Sequence, residues 1–229
     1  MENNLCIIPA RGGSKRIPRK NIREFLGKPI IAYSIESALK SDLFTQVMVS
    51  TDDEEIADVA MHYGASVPFK RSDSAATDYA TTADVLLEVL YKYEETGQDF
   101  ENLCCIYPCA PFVTPEDLRK SYYQLQQEAL DGVASVVPLG FPIQRVLKIQ
   151  GNLLSFLYPE YAMARSQDLE TAYQDAGQYY WLKIEAFKKH KKMFPEKCGG
   201  SIIREFEAQD IDDENDWKLA EMKYQILER

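Results

Sequence analysis

The sequence predicts an α/β fold, on three observations. Short apolar runs of strand length, at residues 5–8, 46–50, 102–107 and 133–138, alternate with patterns of helical period. The first of these runs opens into a loop that holds two adjacent glycines and a dense set of cations. The chain has 229 residues, 45% of them hydrophobic, which is enough for one sizeable core or a core with a small appendage.

Taken in order, residues 5–8 read as a buried strand, and Ile-Pro-Ala-Arg-Gly-Gly-Ser-Lys-Arg-Ile-Pro-Arg-Lys-Asn (8–21) leaves its carboxyl end. Lys28-Pro29 opens a helix to about Lys40, with Pro29 in the first turn and Ile30, Ile31, Tyr33, Ser34 and Ala38 as the buried face. Residues 46–50 are a second strand. The acidic turn Thr51-Asp52-Asp53-Glu54 then leads into a helix over 55–63 that Gly64 stops. Residues 66–69 resemble a third strand. A polar stretch over 70–82, with Arg71 at its start, precedes a helix over 83–94 capped by Thr81 or Thr82.

Residues 102–107 are the most strand-like run and belong at the centre of the sheet. The stiff loop Tyr107-Pro108-Cys109-Ala110-Pro111 follows, then a helix with Thr114 as cap, Pro115 at its first position and Glu116 and Asp117 in its first turn. After a strand at 133–138 the pattern changes. Residues 146–149 and 153–157 flank Gln150-Gly151-Asn152 as a β-hairpin, and the excursion closes on Arg165-Ser166-Gln167-Asp168. Strand character returns at 175–181, a short helix at 184–192 ends in lysines, and a last helix packs through Trp217, Ala220, Tyr224 and Leu227. With no internal repeat and no low-complexity linker, residues 1–229 read as a single domain. Residues 140–170 are its inserted flap or subunit contact.

Composition excludes several function classes. A net charge of −10 removes the general attraction to a nucleic-acid backbone. No apolar run approaches the ~18 residues that a membrane span needs. The start Met-Glu-Asn-Asn lacks the regions of a signal peptide. Five cysteines and two histidines lack metal-ligand spacing and read as reduced, mostly buried thiols, so the expected compartment is the cytoplasm.

Against that acidity, Arg11, Lys15, Arg16, Arg19 and Lys20 lie within ten residues, and Arg23 follows. A basic run is usually a solvated face. Here it emerges from a strand's carboxyl end, where open α/β sheets bind ligands. Gly12 and Gly13 let the backbone turn tightly and bring N–H groups to an anion, and a polyphosphate fits best. Neither G-x-x-x-x-G-K-[ST] nor G-x-G-x-x-G is present; Gly27-Lys28 is followed by Pro29. That counts against an NAD(P)-dependent oxidoreductase.

Near the other end, Ala208-Gln209-Asp210-Ile211-Asp212 puts two carboxylates on one side of an extended segment. Asp210 and Asp212 could clamp one hard cation such as Mg2+, although Asp212-Asp213-Glu214 is also an ordinary acidic helix start. No residue stands out as a general base. His62 falls in a helix and reads as a surface residue. A nucleotide-binding module without turnover remains the alternative of another class.

The residues Pro9-Ala10-Arg11-Gly12-Gly13-Ser14-Lys15 and Pro18-Arg19-Lys20-Asn21 resemble the nucleotide loop of the acylneuraminate cytidylyltransferases. The likeness continues in order through Ser50-Thr51-Asp52-Asp53, Arg71, Arg165-Ser166-Gln167, Gly177-Gln178-Tyr179 and Asp210-Ile211-Asp212. It implies a three-layer Rossmann-like nucleotide-diphospho-sugar transferase fold with a mostly parallel mixed sheet, and a homodimer formed through the hairpin. It also implies a Mg2+-dependent reaction in which CTP and a nine-carbon 2-keto sugar acid give CMP-sugar and pyrophosphate.

By the same resemblance, Ala10, Arg11, Gly12, Gly13, Ser14, Lys15, Lys20 and Asn21 would hold the nucleotide, with Arg11, Lys15 and Lys20 carrying the charge stabilisation. Arg71 and Thr82 would face the cytosine. Tyr107, Arg145, Arg165, Gln167, Gln178 and Tyr179 or Tyr180 would face the sugar, and Asp210 and Asp212 the metal. Sialic-acid members usually carry glutamine where Tyr107 stands, which favours pseudaminic acid. N-acetylneuraminate, legionaminate and 3-deoxy-octulosonate are the alternatives.

Overall fold

Leu5 and Ile7 point to one side of the first strand, Cys6 and Ile8 to the other, and all four are fully buried. A strand apolar on both faces needs a helical layer on each side, which is why such runs read as continuous rather than alternating. The computed structural model describes residues 3–77 and 79–227. Met1 and Glu2, which bear on the reading of the amino terminus, and Asp78 of the polar stretch lie outside the described residues.

The elements in chain order are β1 (Asn4–Pro9), β2 (Glu24–Phe25), β3 (Lys28–Pro29), α1 (Ile30–Lys40), β4 (Gln46–Ser50), α2 (Glu54–His62), α3 (Thr82–Glu95), β5 (Asn102–Ile106) and α4 (Pro115–Gln127). They continue with β6 (Gly132–Pro138), β7 (Leu147–Gln150), β8 (Leu153–Phe156), β9 (Tyr173–Lys183), α5 (Ile184–His190), β10 (Cys198–Ile202) and α6 (Glu214–Ile226). The main sheet has the order β10-β6-β9-β5-β1-β4. Its pairings make β9 antiparallel to both neighbours, and the other strands run parallel to one another.

One face carries α1, α2 and α4 over Cys6, Ile8, Val47, Val49, Cys104 and Ile106. The other carries α3 and α5 over Leu5, Ile7, Met48, Leu103 and Cys105. The result is a three-layer α/β architecture. Helix α6 packs Trp217 and Ala220 against Ile17, Phe25, Ile30 and Ile211, so it closes the edge near the loop after β1.

Local chemistry explains the boundaries. Thr81 and Thr114 each cap a helix with a reciprocal Asp84 or Asp117 contact, and Asp213 does so with Asp216. Asp53 caps α2 by accepting from the Ile56 N–H. Gly64, at φ 94°, supplies the left-handed turn that ends it.

Several expectations are corrected. Lys28-Pro29 is not helical: it pairs with Glu24-Phe25, and Pro29 is the residue before α1. At 66–69 only Ser66 pairs, as a single bridge to Met48. Strand β10 has no counterpart in the expectations, because its sequence is Cys-Gly-Gly-Ser-Ile. Its glycines admit close neighbours: a Cβ on Gly199 would lie 2.5 Å from Leu130 Cδ1. The hairpin is present as β7–β8, turned by Gly151 at φ 60°.

Candidate active site

The chain runs from β1 to β4 on one side and returns to β5 on the other, so β1 and β5 flank a reversal of strand order. Such a reversal opens a crevice at the carboxyl ends of the strands. A cavity of about 400 Å³ occupies that position, lined by Pro9 at the end of β1 and by Tyr107, Pro108 and Cys109 after β5. Arg11, Ser14, Lys15, Arg16, Lys20 and Asn21 complete one wall, and Gly177, Asp210, Ile211 and Asp212 the other. Residues about 200 positions apart in sequence thus share one space.

The loop after β1 is tied down at several points. Fully buried Ile17 packs in the α6 cluster. The Ala10 N–H donates to Ser50 O at 2.9 Å, and the Asn21 amide donates to Arg11 O at 2.9 Å. Arg19, at φ 54°, begins the short 3-10 turn over Lys20–Ile22. Lys20 Nζ donates to Ile211 O at 2.7 Å, which joins the loop to the acidic segment directly.

The loop's cations are not all turned to a ligand. Arg19 is bidentate to Asp53 (2.5 and 2.9 Å) and also pairs with Glu55. Arg23 pairs with Glu214 at 2.6 Å, and Arg16 with Asp212 at 2.7 Å. Arg19 holds the Asp53 carboxyl down at about 2, aided by the Ile56 N–H and opposed by burial. The expectation that the whole basic cluster awaits an anion is therefore corrected: part of it neutralises the protein's own acids. The glycine reading is corrected as well. Neither glycine has a positive φ, and only Gly12 is sterically required, since a Cβ there would lie 2.7 Å from Asp53 Oδ2. The Gly12 N–H donates to Asp52 Oδ1 at 3.0 Å. Gly13 has open space around it.

A second cavity, of about 210 Å³, shares Pro9, Arg11 and Tyr107 with the first and adds Arg71, Thr82 and Val85. The three shared residues therefore border both cavities. The Tyr107 hydroxyl lies 3.2 Å from Thr82 Oγ1, and its ring packs on Tyr180. Arg71 is 7% exposed and donates to Ser50 O at 2.6 Å and Ser50 Oγ at 3.2 Å. Burial lowers its pKa, with Asp52 and Glu88 opposing.

On the acidic wall, burial and the like charge of Asp212 push the Asp210 carboxyl up, while Lys20 and Arg16 pull it down. Among the described residues no group of three or more His, Cys, Asp or Glu side chains could hold a metal. Two mutually repelling carboxylates on a cavity wall still fit a hard cation whose other ligands are phosphate oxygens and water.

The expected sugar-side residues divide. Tyr107 lines both cavities. Tyr179 does not face either: it is fully buried on the α4 side of the sheet, with its hydroxyl 2.9 Å from Ser201 Oγ. Tyr180 lies on the other face and donates to both oxygens of Asp175 at 2.8 and 2.7 Å. Gln178 is 2% exposed and donates to Glu207 O, which fixes the segment before Asp210. Arg145, Arg165 and Gln167 lie outside both cavities, on the excursion; Arg145 donates to Ser166 Oγ and Arg165 pairs with Asp168. Ile17 and Ile211 were missed as contributors. A lone isoleucine inside a basic loop was the available signal for the first.

Residues 5–225 match the family described as Cytidylyltransferase. A pseudaminic acid cytidylyltransferase of Campylobacter jejuni is 38% identical over 224 residues, 97% of each chain. A CMP-N,N'-diacetyllegionaminic acid synthase of Legionella pneumophila is 35% identical over 226 residues, 95% of this chain and 94% of that one. In fold, the chain is similar to a CMP:2-keto-3-deoxy-manno-octonic acid synthetase complexed with CTP, with a TM-score of 0.71, 16% identity and 99% of each chain covered. The loop after β1, the crevice it borders and these likenesses together show that the chain belongs to the cytidylyltransferase family of nucleotidyltransferases.

Proposed function

We propose that the protein couples CTP with a nine-carbon 2-keto sugar acid, pseudaminic acid first among them, to give CMP-sugar and pyrophosphate. The supporting observation is the convergence of the basic loop and the Asp210/Asp212 segment on one cavity. The choice of sugar rests on the 38% identity to pseudaminic acid cytidylyltransferases.

In this reading the anomeric hydroxyl attacks the α-phosphorus, pyrophosphate leaves in line, and the hydroxyl proton passes to water. Two anions must be aligned against their repulsion, and charge on the equatorial and leaving oxygens must be met by preorganised donors. Arg11, Lys15 and Lys20 supply those donors; Ser14 and Asn21 border the triphosphate, and Arg71 and Thr82 the base. Asp210 and Asp212 would hold Mg2+, which when bound would neutralise phosphate charge.

The whole chain, 1–229, acts as one domain in the cytoplasm. The hairpin exposes Leu147 (50%), Ile149 (74%), Leu153 (77%) and Leu154 (63%), and a second copy of the chain covers it. Arg145, Arg165 and Gln167 line neither of the two cavities, and in this reading their contact with the sugar acid is made across that dimer.

The test is pyrophosphate release from CTP and Mg2+ with pseudaminic, legionaminic and N-acetylneuraminic acids. The highest kcat/KM is expected with pseudaminic acid. Equal or higher turnover of legionaminic acid, which the 35% identity to a legionaminic acid synthase makes the second reading, would reassign the sugar. CTP binding with no pyrophosphate from any sugar acid would refute the transferase reading.

A further inference from the structure

Cys109 sits where the three parts of the cavity wall meet. It follows β5, lines the cavity, and packs against the cluster that contains Ile17 of the basic loop and Ile211 of the acidic segment. Its thiol donates to Asn21 Oδ1, with Sγ 3.3 Å away. Asn21 is 6% exposed, and its Nδ2 is committed to Arg11 O at 2.9 Å.

A buried amide has a donor end and an acceptor end, and both need partners. Arg11 O takes the donor end, so the acceptor end must find a hydrogen. The thiol supplies one, and it selects the orientation of the amide that clips Arg11 to the last turn of the loop.

We propose that Cys109 is a positioning residue for CTP, acting through Asn21 on the backbone at Arg11. It touches no reacting atom in this role; its S–H holds the loop in the form that meets the triphosphate. Burial, with Asp210, pushes the thiol up to about 12 against the pull of Lys20, so it stays in the hydrogen-donating form at neutral pH. A neutral thiol is also a poor nucleophile, which suits a structural donor beside an electrophilic phosphorus.

The inference rests on the assignment of the basic loop to CTP. Four variants separate the two ideas when CTP affinity is measured by calorimetry without sugar acid, alongside the melting temperature. Cys109→Val keeps an apolar side chain, larger by one heavy atom, but removes the donor; CTP affinity is expected to fall about fivefold, the worth of one net hydrogen bond. Its melting temperature should fall by a few degrees at most, the cost of one unsatisfied acceptor, with the chain still folded at the assay temperature. Cys109→Ser restores a donor and should recover affinity to within about twofold. In a double variant with Asn21→Ala, the Cys109→Val effect should vanish, because the two side chains act in series.

If Lys20→Ala leaves CTP affinity unchanged, the loop assignment falls and this inference with it. If Lys20→Ala weakens CTP but Cys109→Val does not, or Cys109→Ser is as weak as Cys109→Val, only the role of the thiol is overturned.

Discussion

The loop after β1 and the hairpin β7–β8 both leave the sheet, yet they are satisfied in opposite ways. The loop finds its partners inside the chain: Ile17 in the core, Asn21 on Arg11 O, Lys20 on Ile211 O, and Arg16, Arg19 and Arg23 on acids. The hairpin pairs its two strands with each other, and every residue of β7 is exposed. A loop held this way is preorganised, so little ordering remains for a ligand to supply. An isolated two-stranded ribbon with leucines outward is marginal in water, and in the dimer proposed above a second copy of the chain covers it.

The largest effect should come from breaking the cavity where loop and acidic segment meet. Asp210→Ala and Lys20→Ala are each expected to lower kcat by ~100-fold or more, the range found when one preorganised electrostatic partner is removed. Pyrophosphate release under saturating CTP and Mg2+ measures it. Near-parental turnover in Asp210→Ala would remove that residue from the chemistry. Sedimentation of both variants should match the parent, since neither residue touches the hairpin.

Next in size is the reverse experiment. Leu147→Glu with Leu153→Glu should shift the protein from dimer to monomer while its melting transition persists, because neither residue belongs to a core cluster. Each leucine buried at an interface is worth about 1.5–3 kcal/mol, so the pair should weaken dimerisation by about a hundredfold or more. Sedimentation velocity across a concentration series reads this out. An unchanged sedimentation coefficient would mean that the hairpin is not the dimer contact.

How much of this was legible follows the range of the interactions. Strands β1, β4 and β5 were readable because burial on both faces demands unbroken apolar runs, and α4 because Thr114, Pro115 and Asp117 carry its whole start signal locally. The basic loop and the aspartate pair were readable as chemistry. Their ties were not, because Arg16–Asp212, Lys20–Ile211 and Arg23–Glu214 span more than 190 residues with no local trace. Tyr179 and Tyr180 show the limit differently. Neighbours in a strand face opposite layers, so at most one could approach the sugar, and Tyr179 falls on the parity of Trp181, inside the core. The bond from the Cys109 thiol to Asn21 Oδ1 spans 88 residues and leaves no local trace either.

The smallest effect concerns the loop's internal tie at Arg19, and it asks whether the loop can be made to resemble the hairpin. Arg19 lowers the Asp53 carboxyl to about 2, from an ordinary value near 3.8. A carboxyl lowered in the folded state contributes stability that is full above its unfolded pKa and is lost as pH falls through the folded one. Arg19→Met should therefore cost about 1–2 kcal/mol at pH 7, a range reduced for the 39% exposure of the Arg19 side chain. The gap between parent and variant should begin to close below about pH 4 and be nearly gone at pH 2. Urea unfolding at pH 7, 5, 4 and 3 measures it. A constant gap across that range would assign the stabilisation to the packing of the arginine stem rather than to its charge. With the tie gone, the KM for CTP should rise while dimerisation is untouched, because the looser loop must then be ordered by its ligand.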